Sequence, residues 1–359
     1  MDFTLTDAQQ DLAALTRRIL TDKVTPELLG AHGSGGHDAP LWTVLAKAGV
    51  VDAALPQQVG GGGFGLLEQC SVLAEIGRAV APVPYLTSIT MAASALAEFG
   101  DAELAERWTV PALRGARVLT VALPDFGSPC GFTAEPSPDG WRLTGTQTAV
   151  PFAAFAHGLL VEADLDGERA VFVLDADAPG VAVSPQRTID HADAALVELS
   201  GATAAASLGD VGEWIRQRGT VGLCAQQLGV LERALELTAA YAREREQFGH
   251  VIGSFQAVRQ RLADAYLDVE AVRLTLWQAA WRLSEGHPAA EEVATAKFWA
   301  AEAGHRVAHT AVHVHGGVGI DVDGPLHRYF AAAKRLEFTL GGATAQLRGL
   351  GTLLATTPA

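Results

Sequence analysis

Apolar residues at helical spacing characterise the first third of the 359-residue chain. Thr6, with Gln9 three residues later, predicts the capped start of a first helix. Further amphipathic segments begin at Leu41 and at Leu66, on either side of glycines at 60–63 that interrupt the pattern. Residues 1–117 are therefore predicted to form an N-terminal helical domain.

The same helical periodicity returns from residue 206 onward. One apolar stripe recurs at spacings of three, four and seven residues, at Phe255, Val258, Leu262, Val269, Val272 and Leu276. A second segment, 293–314, carries small residues that let neighbouring helices approach closely. Residues 206–359 are predicted to form a C-terminal helical bundle.

Between these parts, residues 118–205 are rich in β-forming runs. The pairs Asp139-Gly140 and Asp166-Gly167 favour tight hairpin turns, because such turns need positive φ angles. The runs that they separate read as strands at 141–150, 158–163 and 170–174, with a last strand at 194–199. The chain is thus predicted to be an α+β multi-domain protein with a small antiparallel β domain in the middle.

Composition and charge narrow the range of partners. The 41 acidic and 26 basic residues give a formal net charge of −15, which argues against nucleic acid or an anionic membrane as a partner. The three cysteines are far apart and form no Cys-x-x-Cys motif, so no disulfide or thiolate metal site is predicted. With no signal peptide at 1–4 and no apolar stretch of about 18 residues, a cytoplasmic protein is expected.

The first candidate motif is Arg-Glu-Gln-Phe-Gly at 245–249, which lies between two predicted helices. The guanidinium of Arg245 can bind phosphate oxygens bidentately, and Phe248 can pack on a nucleotide base. The alternative is a solvated, charged turn that Gly249 terminates.

The second candidate motif is His-Val-His-Gly-Gly at 313–317. Adjacent glycines after a helix let the main chain approach a bulky ligand, and His313 can donate a hydrogen bond. The alternative is a plain helix stop followed by a turn.

Together, and at this separation, the two motifs resemble the acyl-CoA dehydrogenase family. Gln256 and the run Pro-Leu-His-Arg-Tyr at 325–329 add to the resemblance. Leu55-Pro56 and the run Gly-Arg-Ala at 77–79 resemble the first domain of that family, so the likeness covers essentially the whole chain. It implies a helical N-terminal domain, a middle β domain and a C-terminal four-helix bundle.

The resemblance also implies FAD, bound at a dimer interface. Seven residues match positions that hold the ADP half of an FAD whose ring lies in the neighbouring subunit: Arg245, Gln247, Phe248, Gln256, His313, Gly316 and Gly317. His313 stands where glutamine is commoner in the family.

One departure from the family concerns its catalytic carboxylate. Most members place a glutamate in a turn that here reads Leu-Gly-Gly-Ala-Thr at 340–344, and no carboxylate occurs from 338 to 352. Other members place the base on an earlier helix, at a position that falls near Arg218-Gly219. We therefore predict no catalytic residue in this chain, which alone would be nearly inactive because a general base contributes about 10²–10⁴-fold.

A second departure concerns the flavin ring. Residues 122–128 resemble the ring-facing loop of the family, but this chain lacks the threonine hydroxyl that the family usually has there. A second ring-facing stretch aligns with 149–151, where Pro151 has no N–H to donate. The half-site for the flavin ring is thus predicted to be eroded, and the half-site for ADP intact.

This combination is similar to the non-catalytic subunit of the two-gene, α₂β₂ acyl-CoA dehydrogenases of steroid side-chain breakdown. The resemblance implies a catalytic partner subunit that binds the acyl-CoA, and an acceptor of the electron-transfer flavoprotein type. Two alternatives remain open. One is a self-sufficient homo-oligomeric flavoenzyme with a relocated base, and the other is a non-enzymatic scaffold subunit.

Three weaker signals are judged structural. His305, His309 and His313 could share a helix face, but they lack a zincin glutamate, so no metal site is predicted. The glycine run at 60–65 lacks the βαβ context of a dinucleotide loop. Glu337 could be a displaced base, but an exposed or ion-paired role is expected.

Overall fold

The computed structural model describes residues 5–25 and 36–356. Residues 1–4, the basis for expecting no signal peptide, lie outside this part of the chain. The first third is helical, with α1 (Asp7–Lys23), α2 (Ala39–Lys47), α3 (Leu66–Ala79), α4 (Ser94–Phe99), α5 (Ala102–Leu104) and α6 (Val110–Leu113). The π-helical segments Tyr85–Ala93 and Ala105–Thr109 run directly into α4 and α6. The capped start of α1 is confirmed: Thr6 Oγ1 accepts from the Gln9 N–H at 3.3 Å.

The middle of the chain forms one twisted sheet. Its strands are β1 (Leu119–Ala122), β2 (Phe132–Ser137), β3 (Gly140–Pro151), β4 (Gly158–Leu165), β5 (Glu168–Asp175), β6 (Val181–Gln186), β7 (Ala194–Ala204) and β8 (Ala206–Gly209). The spatial order is β6-β7-β3-β2-β4-β5-β8, and β1 lies beside β4. Most pairs are antiparallel, as predicted, but β1 and β2 each pair with β4 in parallel.

One detail of this sheet was predicted wrongly. The strand expected to be the last, at 194–199, continues to Ala204 and is followed by β8. A four-residue strand is too short to show a period in the sequence. The domain boundaries after residues 117 and 205 stay predictions.

The rest of the chain is helical, which confirms the predicted order of helices, sheet and helices. It consists of α7 (Gly212–Glu244), the hairpin β9 (Glu246–Gln247) and β10 (His250–Val251), α8 (Gln256–Ser284), α9 (Ala290–His315), α10 (Leu326–Phe338) and α11 (Ala343–Thr356). Short 3₁₀ segments, Ile252–Ser254 and Gly316–Ile320, follow the hairpin and α9.

Close packing against α3 fixes the direction of the long helix α7. A Cβ atom on Gly229 of α7 would lie 1.8 Å from the Ala74 carbonyl oxygen, and one on Gly77 would lie 2.0 Å from the Gln226 carbonyl oxygen. Neither position can carry a side chain without a backbone shift. Helix α7 thus belongs to the interior of both helical regions, and its far end places Arg245 at the surface.

A buried lysine holds the end of α10. Lys297 is 0% exposed, and its Nζ donates to the carbonyl oxygens of Leu336 and Glu337 at 3.0 Å each. These are among the terminal carbonyls that a helix cannot satisfy itself. Burial lowers the pKa of the Lys297 ammonium to about 8. The lysine therefore holds the C-terminal end of α10 in place just before the turn at 340–342.

The pH dependence of stability should reveal this lysine. Its pKa is lower in the folded chain than in the unfolded one, so the unfolded state binds more protons between pH 8 and 10.5. Across that window, the native protein should gain stability relative to Lys297→Met by up to about 3 kcal/mol. Urea unfolding of both proteins from pH 7 to 11 measures the difference. A difference that stays constant over this range would contradict the assignment.

Candidate nucleotide-binding site

The C-terminal ends of α7 and α9 meet at a concave space of about 700 Å³, which we call the α7–α9 cleft. The hairpin β9–β10 closes one side of the cleft, and the 3₁₀ segment Gly316–Ile320 closes another. Two segments that are separated by more than 60 residues in the sequence thus form a single surface depression.

Five of the seven residues that the sequence predicted line this cleft: Arg245, Gln247, His313, Gly316 and Gly317. The other two do not line it. Gln256 is the first residue of α8, and Phe248 stands 90% exposed at the tip of the β9–β10 hairpin. Phe248 and Gly249 form the hairpin turn, and both have positive φ angles, 54° and 78°. The turn holds the aromatic ring in solvent, close to the cleft.

The side chains in the cleft suit an anionic ligand. The guanidinium of Arg245 forms no ion pair with any residue in the described ranges, although it is exposed beside a cavity. Gly316 ends α9 with a φ of 65°, and a Cβ added there or at Gly317 would meet nothing within 4 Å. A free cation and open backbone at one depression fit a nucleotide diphosphate. The residues present thus fit the ADP half of FAD.

Seven further residues line the cleft that sequence reasoning did not select as site residues: Tyr241, Ile252, Val314, His315, Val318, Ile320 and Asp321. Tyr241 lies four residues before Arg245, and this helical spacing was the available signal. The Asp321 carboxylate accepts a hydrogen bond from the Asp323 N–H at 3.1 Å, within its own turn. Its negative charge is thereby partly satisfied within the chain.

A second cavity of about 780 Å³ lies where the N-terminal helices, the sheet and the bundle meet. Apolar side chains such as Leu86, Met91 and Leu223 line one part of it. The segments 147–152 and 188–194 and the end of α10 line the other part. The two stretches predicted to face a flavin ring, 122–128 and 149–151, both contribute lining residues.

The turn at 340–342 carries no carboxylate and leaves little room for one. Leu340 lines the second cavity, and its carbonyl oxygen accepts from Gln346 Nε2 at 2.9 Å. A Cβ on the buried Gly341 would lie 2.9 Å from Cβ of Phe126 and 3.0 Å from Gln346 Nε2. An acidic side chain at this position would require these neighbours to move.

The alternative position of the base, as predicted from the sequence, also carries no carboxylate, because it falls on Arg218 and Gly219. The guanidinium of Arg218 stacks on the Trp214 ring at 3.7 Å. A Cβ on Gly219 would lie 2.7 Å from the Met91 methyl group. Glu337 is ion-paired to Lys334 at 2.5 Å, as expected, and does not line the second cavity.

Three aspartates do line the second cavity: Asp125, Asp190 and Asp193. Asp125 is exposed, and the Asp190 carboxylate accepts from Arg335 Nε and from the Thr188 hydroxyl. Asp193 is different, because its Oδ2 is buried and has no hydrogen-bond partner among residues 5–25 and 36–356, and burial raises the pKa of its carboxyl. Sequence reasoning proposed no role for these aspartates. Asp190 and Asp193 lie in the turn between β6 and β7, and Asp125 lies in the loop between β1 and β2.

Donors along the flavin-facing stretch are engaged or missing. The Ala149 N–H donates to Gln186 Oε1 at 2.7 Å, and Pro151 has no N–H. In the other loop, the Pro124 carbonyl oxygen accepts from Arg216 Nη1 at 2.6 Å. At these two places, no backbone N–H is free to donate to a ring, and the carbonyl oxygen of Pro124 is already engaged.

Comparison with known proteins identifies the family. The acyl-CoA dehydrogenase N-terminal domain matches residues 6–116, and the acyl-CoA dehydrogenase C-terminal domain matches residues 197–351. The acyl-CoA dehydrogenase FadE27 of Mycobacterium tuberculosis is 51% identical over 100% of both chains. The chain belongs to the acyl-CoA dehydrogenase family. This confirms the resemblance that the sequence motifs indicated.

Solved structures agree with this assignment. A chain of the ChsE4–ChsE5 complex from Mycobacterium tuberculosis is 52% identical and superposes with a TM-score of 0.97, covering 100% of both chains. A chain of the Tcur3481–Tcur3483 steroid acyl-CoA dehydrogenase, in a variant form, is 42% identical with a TM-score of 0.93, covering 98% of this chain and 99% of that one. Both relatives are parts of assemblies of two different subunits.

The described residues form neither a membrane-spanning helix nor a cluster of metal ligands. No helix within 5–25 or 36–356 is long and apolar enough to cross a membrane. The same residues include no group of three or more His, Cys, Asp or Glu that could hold a metal ion. The rings of His305 and His309 lie 4.4 Å apart, whereas His313 lines the α7–α9 cleft.

Proposed function

We propose that this chain is the FAD-binding, base-lacking subunit of a heteromeric acyl-CoA dehydrogenase. The observation that carries the proposal is the contrast between its two cavities. The α7–α9 cleft keeps Arg245, which has no ion-pair partner among the described residues, beside an open glycine turn. The turn at 340–342, where most family members carry the base, has no carboxylate and tight packing around Gly341. The chain thus retains groups for binding a nucleotide and lacks the usual group for removing a proton.

In this proposal, Arg245 binds the pyrophosphate, and the backbone at Gly316 and Gly317 allows close approach of the nucleotide. Gln247, Gln256 and His313 supply hydrogen-bonding groups, and Phe248 packs against the adenine. When bound, FAD supplies the hydride acceptor for oxidation of an acyl-CoA to the α,β-enoyl-CoA. A carboxylate of the partner subunit removes the α-proton of the acyl-CoA bound at the partner's site.

The relatives supply the proposed partner and substrate class. Their structures are described as a ChsE4–ChsE5 complex and as a steroid acyl-CoA dehydrogenase. We infer an α₂β₂ heterotetramer that acts on a bulky acyl-CoA, such as one with a steroid side chain, in the cytoplasm. An acceptor of the electron-transfer flavoprotein type reoxidises the flavin.

Co-expression with a base-bearing subunit tests the assembly. The chain and an acyl-CoA dehydrogenase subunit that carries the catalytic glutamate should co-purify as a two-plus-two tetramer, as measured by light scattering after size exclusion. A stable homotetramer of this chain that carries FAD, and that does not exchange with the second subunit, would contradict the proposal.

A second candidate function rests on Asp193. Its Oδ2 is buried in the second cavity and has no hydrogen-bond partner in the described part of the chain, and such a perturbed carboxyl can serve as a relocated base. In that case the chain is a self-sufficient flavoenzyme, and Asp193→Asn should lower its turnover by about 10²–10⁴-fold. Under our proposal, the same substitution leaves turnover of the heteromeric complex within about threefold of the native value, because the partner supplies the base. Steady-state assays of Asp193→Asn, as the isolated chain and in the complex, separate the two functions.

A further inference from the structure

An aromatic stack joins the two halves of the α7–α9 cleft. The rings of Tyr241 and His315 lie with centroids 4.3 Å apart and planes inclined by 20°. Tyr241 is in the last turn of α7, and His315 is the last residue of α9. Both residues line the cleft. The contact therefore connects the C-terminal ends of two helices that are far apart in the sequence.

Each residue of the pair also lies next to a candidate ligand-binding group along the backbone. The Arg245 N–H donates to the Tyr241 carbonyl oxygen at 2.9 Å, so the arginine continues directly from the turn that holds the tyrosine. On the other side, His315 Nδ1 lies 2.9 Å from the Ala311 carbonyl oxygen, and Gly316 follows next in the chain. The stack thus lies between the backbone that carries Arg245 and the backbone that carries Gly316.

The histidine in this pair is suited to stacking in its neutral form. Burial lowers the pKa of His315, the opposite of the shift that a nearby carboxylate would cause. A neutral ring that donates from Nδ1 to Ala311 keeps a lone pair on Nε2, and this tautomer is assigned from the hydrogen bond. Nε2 and the Tyr241 hydroxyl have no hydrogen-bond partner in the described part of the chain.

We propose that the Tyr241–His315 stack is the positioning element of this cleft: it sets the spacing between Arg245 and the Gly316-Gly317 turn that an adenine nucleotide diphosphate requires. The inference rests on the proposed function. It adds two residues that bind no phosphate themselves and act by holding the groups that do. Preorganisation of this kind increases affinity by reducing the ordering that binding requires.

Substitutions that keep or remove the stacked plane provide the test. In the assembled complex, Tyr241→Ala and His315→Leu remove one aromatic face, and each should speed FAD release about three- to tenfold, the loss expected for one aromatic pair. Tyr241→Phe and His315→Phe keep two stacked rings and should release FAD at close to the native rate. Flavin fluorescence after dilution measures release, and competition by ADP gives a second readout that does not depend on turnover.

The outcomes separate this inference from the proposed function. A positioning stack is supported if Tyr241→Phe and His315→Phe release FAD at close to the native rate while Tyr241→Ala and His315→Leu release it faster. If Tyr241→Ala and His315→Leu both release FAD at the native rate while Arg245→Ala releases it faster, the stack has no positioning role but the cleft assignment stands. If Arg245→Ala also matches the native rate, the cleft assignment itself is wrong. If His315→Phe releases FAD as fast as His315→Leu, stacking is not the cause, and the inference fails.

Discussion

Replacing Arg245 with alanine should make the assembled enzyme lose its FAD about ten- to a hundredfold more readily. The guanidinium has no ion-pair partner within residues 5–25 and 36–356, and it lines a cleft of about 700 Å³. A hydrogen bond to a charged group contributes about 1.5–3 kcal/mol, and each 1.4 kcal/mol corresponds to a factor of ten. Equilibrium dialysis of the complex, followed by flavin absorbance, measures the FAD retained. Turnover should fall in parallel when FAD is not in excess, and should recover when it is added.

A matched control is available two residues away. Arg243 is exposed in the last turn of α7 and does not line the cleft, so Arg243→Ala removes the same charge at nearly the same place. It should retain FAD like the native complex. Equal retention by the native, Arg243→Ala and Arg245→Ala complexes would favour a scaffold subunit that stabilises its partner without holding the nucleotide.

The fold was largely predictable because its periodicities are strong. The apolar stripe of α8 and the small residues of α9 predicted the bundle, and Asp166-Gly167 predicted the turn between β4 and β5, where both residues have positive φ angles. The parallel pairing of β1 with β4 could not be predicted in this way. It depends on which strands meet in space, and neither the period nor the turn residues encode this.

The candidate site was predictable to the extent that short motifs mark it. Arg245 and the Gly316-Gly317 turn lie in contiguous signatures, whereas the stack of Tyr241 on His315 joins two helices that no local pattern relates. Lys297 illustrates the same limit. A lysine in a helix is usually expected to be exposed to solvent. This one is buried, because the end of α10 lies over it and offers two carbonyl oxygens as acceptors.

The second large effect concerns the chain on its own. Without a partner, the FAD-loaded chain should oxidise acyl-CoA at least about a hundredfold more slowly than the complex, because a general base contributes about 10²–10⁴-fold. The physical reason is local. Leu340, Gly341 and Gly342 occupy the turn where most members carry the base, and Arg218 and Gly219 occupy the alternative position. Three aspartates line the second cavity, and this prediction requires that none of them replaces the missing glutamate as the base.

The most direct test compares turnover per bound FAD for the isolated chain and for the complex with a base-bearing subunit, using the same acyl-CoA and an artificial electron acceptor. The account predicts that the isolated chain, even when loaded with FAD, falls short of the complex by about 10²-fold or more. Turnover by the isolated chain within about tenfold of the complex, abolished by Asp193→Asn, would contradict it and show that this chain carries its own base.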